Sequence, residues 1–365
     1  MKYKNGELCL IWLDSFVGLE YKHKQELYKL IEGKAEIKYL LEKGKDYIIN
    51  AIGENEYSTL LSSANASYLD YILTGLERRN VVAVTAVSDG YPESLLNTPC
   101  PPLVLYCKGN ISLLKGNNFA IVGSRKSLPL SIKLAENYAK ALVNAGFVLV
   151  TGIAEGVDST VLDAVLSNGG KAISVLGGGF DNVYPKSNEQ LLDCVIKNGL
   201  AVCEYPPEVV PRSFHYPVRN RIIAALSRGV LIVSGGIKSG TKYTAEYAEE
   251  YGKDLFAVPY NSGVTSGAGC NDLIKRGAML TDTPDDVLEF YGIEEEKPKH
   301  LILSDVEKDI VNALKDGESH VEKLCKAVKK RVFEIMPVLS SLEIKGVVHR
   351  IGVNVYGLIR KELED

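Results

Sequence analysis

Phe214-His215-Tyr216-Pro217-Val218-Arg219-Asn220-Arg221 opens an amphipathic stretch that runs through Ile222, Ile223 and Leu226 to the apolar Val230 to Val233. Gly235-Gly236-Ile237-Lys238-Ser239-Gly240-Thr241 follows. This order reads as a basic helix start, one buried strand and a small-residue turn into the next helix. Such a turn brings backbone N–H groups to a helix N-terminus, where anionic oxygen binds favourably. Tyr205 to Lys242 contains six Lys or Arg residues (212, 219, 221, 228, 238 and 242) against one carboxylate, Glu208. The segment therefore carries about +5 within a chain of formal net charge −4. That contrast points to a polyanionic ligand bound at a local site.

The same alternation of short apolar run, glycine turn and amphipathic segment extends from Phe119 to Ile293. The runs are Phe119 to Val122, Phe147 to Val150, Ala172 to Leu176, Leu200 to Cys203, Val230 to Val233 and Leu255 to Val258. Each is continuously apolar, as strands covered on both faces require, so the fold class is α/β with an extended Rossmann-like parallel sheet. Leu130 to Ala145 has helical apolar spacing and Gly146 as its stop. Residues 1–79, rich in Lys, Glu, Leu and Tyr, read as a small helical N-terminal domain. Residues 80–293 read as the Rossmann-like domain, with 80–116 as an extended lead-in to the sheet. The charged stretch 294–303 reads as a linker. Residues 304–365 read as three helices and a hairpin, a winged-helix-like domain with patches of basic residues.

At 365 residues, with 46% hydrophobic and 24% charged residues, the composition is that of a globular protein of two or three domains. It excludes collagen-like and disordered classes. No run approaches the roughly 18 apolar residues of a membrane span, and Met1 to Glu20 lacks the basic-then-apolar order of a signal peptide, so a cytoplasmic protein without membrane insertion is expected. Seven scattered cysteines without CxxC spacing point to reduced packing residues and to no metal site.

Ile121-Val122-Gly123-Ser124-Arg125-Lys126-Ser127 ends the first strand. Gly123 allows close backbone approach, Ser124 or Ser127 can bond the helix start, and Arg125 can fork onto phosphate oxygens. Neither G-x-G-x-x-G nor G-x-x-x-x-G-K-[ST] is present, so a dinucleotide cofactor and ATP hydrolysis are not indicated, and no cofactor is expected. Thr151 to Asp158 and Gly177 to Asp181 follow the next two strands, where doubly wound sheets open their ligand crevice. Asp158 reads either as a helix cap or as an acid or base. Lys186 reads as a solvated lysine or a phosphate contact, with Asn188 beside it. Arg219, Asn220 and Arg221 offer phosphate ligands, and Phe214 or Tyr216 can stack a base of any identity, the logic of single-strand binding. Two arginines two apart on a helix point apart, so one of them can pair with a carboxylate such as Glu204 instead.

Taken together these residues resemble the DNA-processing protein A family, also called Smf. The resemblance is carried by AIVGSR at 120–125, TGIAEGVD at 151–158, SVLGGGFDNVYPKSN at 174–188, CEYPPE at 203–208, FHYPVRNRIIAALSRGVLIV at 214–233, KSGT at 238–241 and DLFAVP at 254–259. It implies a non-enzymatic protein that binds single-stranded DNA, forms homodimers and delivers the strand to the RecA recombinase during natural transformation. Its phosphate pocket falls on Gly123, Ser124, Arg125, Lys186 and Arg219 to Arg221, with Lys238, Ser239, Gly240 and Thr241 as the facing loop. The chain departs from the family pattern at Thr160 to Asp163, where no histidine stands, at Ser234-Gly235-Gly236, and at Tyr260, where glycine is usual.

An enzymatic alternative rests on residues 235–246, similar to the phosphate loop of nucleoside-monophosphate phosphoribohydrolases, with Glu246 as the carboxylate. Here the proline of that loop is missing and Glu246 sits five residues after Thr241.

Overall fold

The computed structural model describes residues 3–16, 19–30, 36–293, 303–315, 317–345 and 347–358. Two compact units divide the chain, residues 1–293 and 294–365. Most of the segment read as a linker, 294–302, lies outside the described residues.

The first unit begins with five helices, α1 (Asn5–Asp14), α2 (Tyr21–Leu30), α3 (Ile37–Ile52), α4 (Glu54–Ser63) and α5 (Ala66–Arg78). Their buried side chains, among them Leu10, Trp12, Leu27 and Ile48, belong to the same core as the sheet. Asp14, buried at the end of α1, joins the two. Its carboxylate accepts from Lys24 Nζ at 3.0 Å and from the hydroxyl of Tyr106, on the neighbouring sheet, at 2.9 Å.

Nine strands form one sheet in the order β1-β2-β6-β5-β4-β3-β7-β8-β9. Strands β3 (Asn118–Val122), β4 (Val148–Thr151), β5 (Ala172–Val175), β6 (Leu200–Cys203), β7 (Gly229–Ile232) and β8 (Asp254–Ala257) are parallel and lie within a residue or two of the apolar runs. Every residue of β3, β5, β6 and β7 is buried, which is why their sequences do not alternate. The lead-in adds β1 (Val82–Thr85) and β2 (Val104–Gly109) antiparallel at one edge, with the short helix α6 (Glu93–Leu96) between them. Met279–Leu280 forms β9 at the other edge.

Helices α7 (Pro129–Asn144), α8 (Val157–Ser167), α9 (Glu189–Asn198), α10 (His215–Leu226), α11 (Thr241–Glu250), α12 (Ala268–Lys275) and α13 (Pro284–Phe290) connect or cover the strands. The chain steps outward from β3 through β4 and β5 to β6, then returns across β3 to β7. The order therefore reverses between β3 and β7, and that reversal opens a crevice at the carboxyl ends of the strands.

The second unit contains α14 (Asp305–Leu314), β10 (Ser319–His320), α15 (Val321–Val328), α16 (Val332–Ile344) and the hairpin β11 (Val348–Gly352) and β12 (Val355–Leu358). Its strands order as β10-β12-β11 around a separate core that includes Ile310, Leu324, Ile335, Leu339 and Tyr356.

Candidate functional site

The loops after β3, β4, β5, β6 and β7 enclose a cleft of about 1050 Å³. Small-ligand pockets run to roughly 300–1000 Å³, so this cleft has room for more than a mononucleotide. Its lining includes Gly123, Ser124, Arg125 and Lys126 from the first loop, Lys186 from the third, Arg219 and Asn220 from α10, which follows the fourth, and Ser239, Gly240 and Thr241 from the fifth and the helix start after it.

Gly123 is required by packing. A Cβ there would lie 2.4 Å from the Val157 side chain, at the start of α8. The loop beyond it is tied down by Ser234, whose hydroxyl accepts the Ser124 N–H at 3.1 Å and meets Ser127 Oγ at 2.8 Å. Ser234, a departure from the family pattern, is thus a brace for the loop that carries Arg125. Tyr260, a second departure, donates to the Val233 carbonyl at 2.7 Å and meets Ser131 Oγ at 2.7 Å, tying the end of β7 to α7. The third departure is absorbed within α8, where Val161 and Leu162 are buried and Thr160 donates to the Gly156 carbonyl at 2.9 Å.

Part of the backbone of the 235–243 turn is taken up within the fold. The Gly235 N–H donates to Ser266, and that of Ser239 to Gly236. Those of Lys242 and Tyr243 donate to Ser239 and Gly240, while that of Thr241 meets Ser239 Oγ. The N–H groups of Gly236, Ile237, Lys238 and Gly240 take no part in these bonds. The cations lining it are Arg125, Lys126, Lys186 and Arg219, against the carboxylates Asp158, Asp181 and Glu189.

Arg219 is buried on the cleft floor. Its Nη1 donates to the Val175 carbonyl, and its Nε has no partner among the described residues. Asp158, in the first turn of α8, faces it across Gly152. The Cβ that Gly152 lacks would lie 2.4 Å from both Asp158 Oδ2 and Arg219 Nη1. Asp158 also accepts the Ala154 N–H at 3.4 Å, closing the preceding loop. Burial raises the Asp158 pKa above the ordinary carboxylate range and Arg219 opposes that rise; burial likewise lowers the pKa of Arg219 against the pull of Asp158.

Arg221, two residues on, is turned away from the cleft. It is ion-paired with buried Glu204 and stands 5.2 Å from the ring centroid of Tyr21 on α2. Burial works against its charge, and Glu204 more than restores it, so its pKa is raised. Sequence reasoning placed Arg221 among the phosphate ligands while allowing that one arginine of the two pairs with Glu204; the structure gives that pairing to Arg221. Asn220 lines the cleft and donates to the Gly240 carbonyl at 3.2 Å, joining α10 to the fifth loop.

The remaining expected residues divide. Asn188 donates to the Ile153 carbonyl at 2.9 Å and so braces the loop after β4 without lining the cleft. Lys238 is exposed and Phe214 is 58% exposed, and neither lines the cleft. The cleft aromatics are Tyr216 and Tyr184, with ring centroids 6.3 Å apart, and the Arg125 guanidinium lies 5.3 Å from the Tyr216 centroid. Pro217 follows Tyr216, and His215 before it is buried against Tyr205 at 4.3 Å. Burial of His215 therefore decides which neighbouring ring faces the cleft. Tyr184 and Lys126 were not singled out by sequence; their signal is position, at the ends of loops already known to follow strands.

Among the described residues no group of His, Cys, Asp and Glu could hold a metal ion, and no helix is long and apolar enough to cross a membrane.

Comparison with known proteins places this geometry. The sequence model of the DNA recombination-mediator protein A family matches residues 82–292, which is the sheet with its lead-in. DNA processing protein DprA of Streptococcus pneumoniae is 41% identical over 202 residues, covering 55% of this chain and 71% of that protein. The crystal structure of DNA processing protein A from the same organism superposes with a TM-score of 0.68 at 31% identity, over 79% of this chain and 98% of that one. DNA processing protein A from Helicobacter pylori, whose structure is described for a single-stranded DNA binding mode, gives a TM-score of 0.53 at 28% identity, over 58% of this chain and 95% of that one.

Proposed function

This chain belongs to the DNA recombination-mediator protein A family, and on that premise we propose that it captures single-stranded DNA without chemistry and hands the strand to the RecA recombinase. The observation that carries the reading is the convergence of cationic side chains, Arg125 and Lys186 from two strand-end loops and Arg219 from α10, on one open cleft at the strand-order reversal. Guanidinium and ammonium groups on separate loops suit successive phosphates of a chain, whereas a mononucleotide site concentrates its donors on one phosphate cradle. Tyr216 and Tyr184 supply faces on which bases of any identity stack. The Val175 carbonyl holds Arg219 from beneath and buried Asp158 faces it, so its guanidinium adds positive charge at the cleft floor. The relatives' DNA-processing names and the single-stranded DNA binding of the Helicobacter pylori protein support the same reading. Homodimer formation, a cytoplasmic location and a winged-helix-like role for the second unit belong to this proposal through the family.

No observation favours the hydrolase alternative. Glu246 is ion-paired with Lys242 at 3.4 Å and lies outside the cleft lining.

A strand-capture assay tests the proposal. Labelled single-stranded oligonucleotide is expected to be retained against excess duplex and excess AMP; displacement by AMP, or equal retention of duplex, would refute it. RecA delivery is tested separately, by faster RecA assembly on a strand already bound by this protein.

A further inference from the structure

Arg79, just beyond α5 and outside the cleft lining, reaches two loops at once. Its Nε donates to Asp181 Oδ1 at 3.2 Å and Oδ2 at 3.0 Å, and its Nη2 lies 2.9 Å from Glu208 Oε1. Nη1 donates to the Gly75 carbonyl at 3.0 Å, which fixes the guanidinium from its own helix. Asp181 belongs to the loop after β5 and Glu208 to the loop after β6. The backbone laces these loops together, through the Asp181 N–H to the Pro207 carbonyl at 2.9 Å and the Gly179 N–H to the Val209 carbonyl at 2.8 Å. Asn182 adds a bond from its side-chain amide to the Glu208 carbonyl at 2.9 Å. The pair of loops forms one rim of the cleft and carries Tyr184 and Lys186.

The rim has a charge problem that Arg79 answers. Asp181 itself lines the cleft, and a carboxylate there repels the phosphates that Lys186 attracts. The three side chains are partly solvated, at 31%, 37% and 61% exposure for Arg79, Asp181 and Glu208, so the ion pairs contribute little to folding. Their weight falls on a polyanion, because uncompensated charges within a Debye length of about 10 Å act on every phosphate passing the rim.

Resting on the strand-binding reading, we infer that Arg79 is a positioning residue for DNA: it offsets part of the negative charge of the rim, one cation against two carboxylates, and holds both rim loops so that phosphates pass Lys186. The N-terminal helices thereby contribute a charge to a site built on the sheet.

The test uses the full chain, fluorescence anisotropy with labelled oligo(dT) at low salt, and a thermal melt of each variant. Arg79→Ala is expected to weaken binding about tenfold with little change in Tm. Adding Asp181→Asn and Glu208→Gln to that variant is expected to restore affinity to within about twofold of wild type, since the rim then has no carboxylate to cancel. A residue serving only the fold is not rescued by deleting its partners. Asp181→Asn with Glu208→Gln in the presence of Arg79 provides a variant that keeps the helix end intact, and is expected to bind more tightly than wild type. The inference is overturned if Arg79→Ala binds like wild type, if the triple variant stays as weak as Arg79→Ala, or if the double variant binds no better than wild type. Failure of wild type itself to bind at low salt would instead overturn the strand-binding reading, and the wild-type arm alone reveals it.

Discussion

The two sides of α10 put the same residue type to opposite uses. Arg219 and Arg221 are both buried, stand two residues apart and so point nearly opposite ways around the helix. On the cleft side, Arg219 meets a carboxylate it does not directly bond and a carbonyl, and like Arg221 it keeps one buried donor without a partner among the described residues. On the other side, Arg221 is enclosed by Glu204 and the ring of Tyr21, beneath the N-terminal helices. Burial therefore does not separate a ligand-binding arginine from a structural one. The separation lies in the partner and the place: Arg221 is ion-paired with Glu204, whereas Arg219 has no direct ion pair and lines the cleft.

This comparison breaks most visibly at Arg221. Arg221→Ala would leave Glu204 buried without its partner, a change that costs about 3–5 kcal/mol and a Tm fall on the order of 10 °C, read by a thermal melt. A stability close to wild type would mean that the N-terminal side of α10 is as forgiving as the cleft side. Gly152→Ala is next. Its methyl group would stand 2.4 Å from both Asp158 and Arg219, so a destabilisation of about 1–3 kcal/mol is expected, together with weaker strand binding as Arg219 is displaced. Unaltered binding would show that the position of Arg219 does not matter to the ligand. Arg219→Ala is expected to lose about tenfold in oligo(dT) affinity and to melt closer to wild type than Arg221→Ala does, because Arg219 has no direct ion pair to lose whereas Arg221 has one with Glu204.

The smallest effect belongs to Asp158. Its pKa is raised in the fold by burial, so the folded state holds its proton more tightly than the unfolded chain. Between the ordinary carboxylate pKa and the raised one, stability contributed at this group falls as pH rises, and below both values it is fully present. Asp158→Asn removes that dependence. The Tm of wild type relative to the Asn variant is thus expected to decline from pH 4 to pH 7, and a difference that stays flat would contradict the assignment.

The strands were legible in the sequence because a strand covered on both faces must be apolar throughout, and β3 to β8 each show that run. The two-residue β9 is too short to leave a pattern, and the antiparallel sense of β2 depends on a partner more than 90 residues away at β6, with β1 in turn paired to β2. The cleft was legible as a set of strand-end turns, since topology alone sends those loops to one edge. Which side chains fill it was less so. Phe214 and Tyr216 are equally good stacking residues in sequence, and only the packing of His215 against Tyr205 turns Tyr216 inward. The turn at 235–241 brings Ser239 to Thr241 to the cleft, and of its amides those of Gly235, Ser239 and Thr241 are taken by the Ser266 carbonyl, the Gly236 carbonyl and Ser239 Oγ. Arg79 had no signal at all, as its two carboxylate partners lie about a hundred residues or more downstream.

On the proposed function, the cleft is a track for consecutive phosphates. The most direct measurement is the salt dependence of oligo(dT) affinity for wild type and Arg125→Ala. Wild type is expected to bind at low salt with log affinity falling linearly against log salt, and Arg125→Ala to bind more weakly with a slope smaller by about one. No binding by wild type at low salt, or an Arg125→Ala variant with unchanged affinity and slope, would contradict the account.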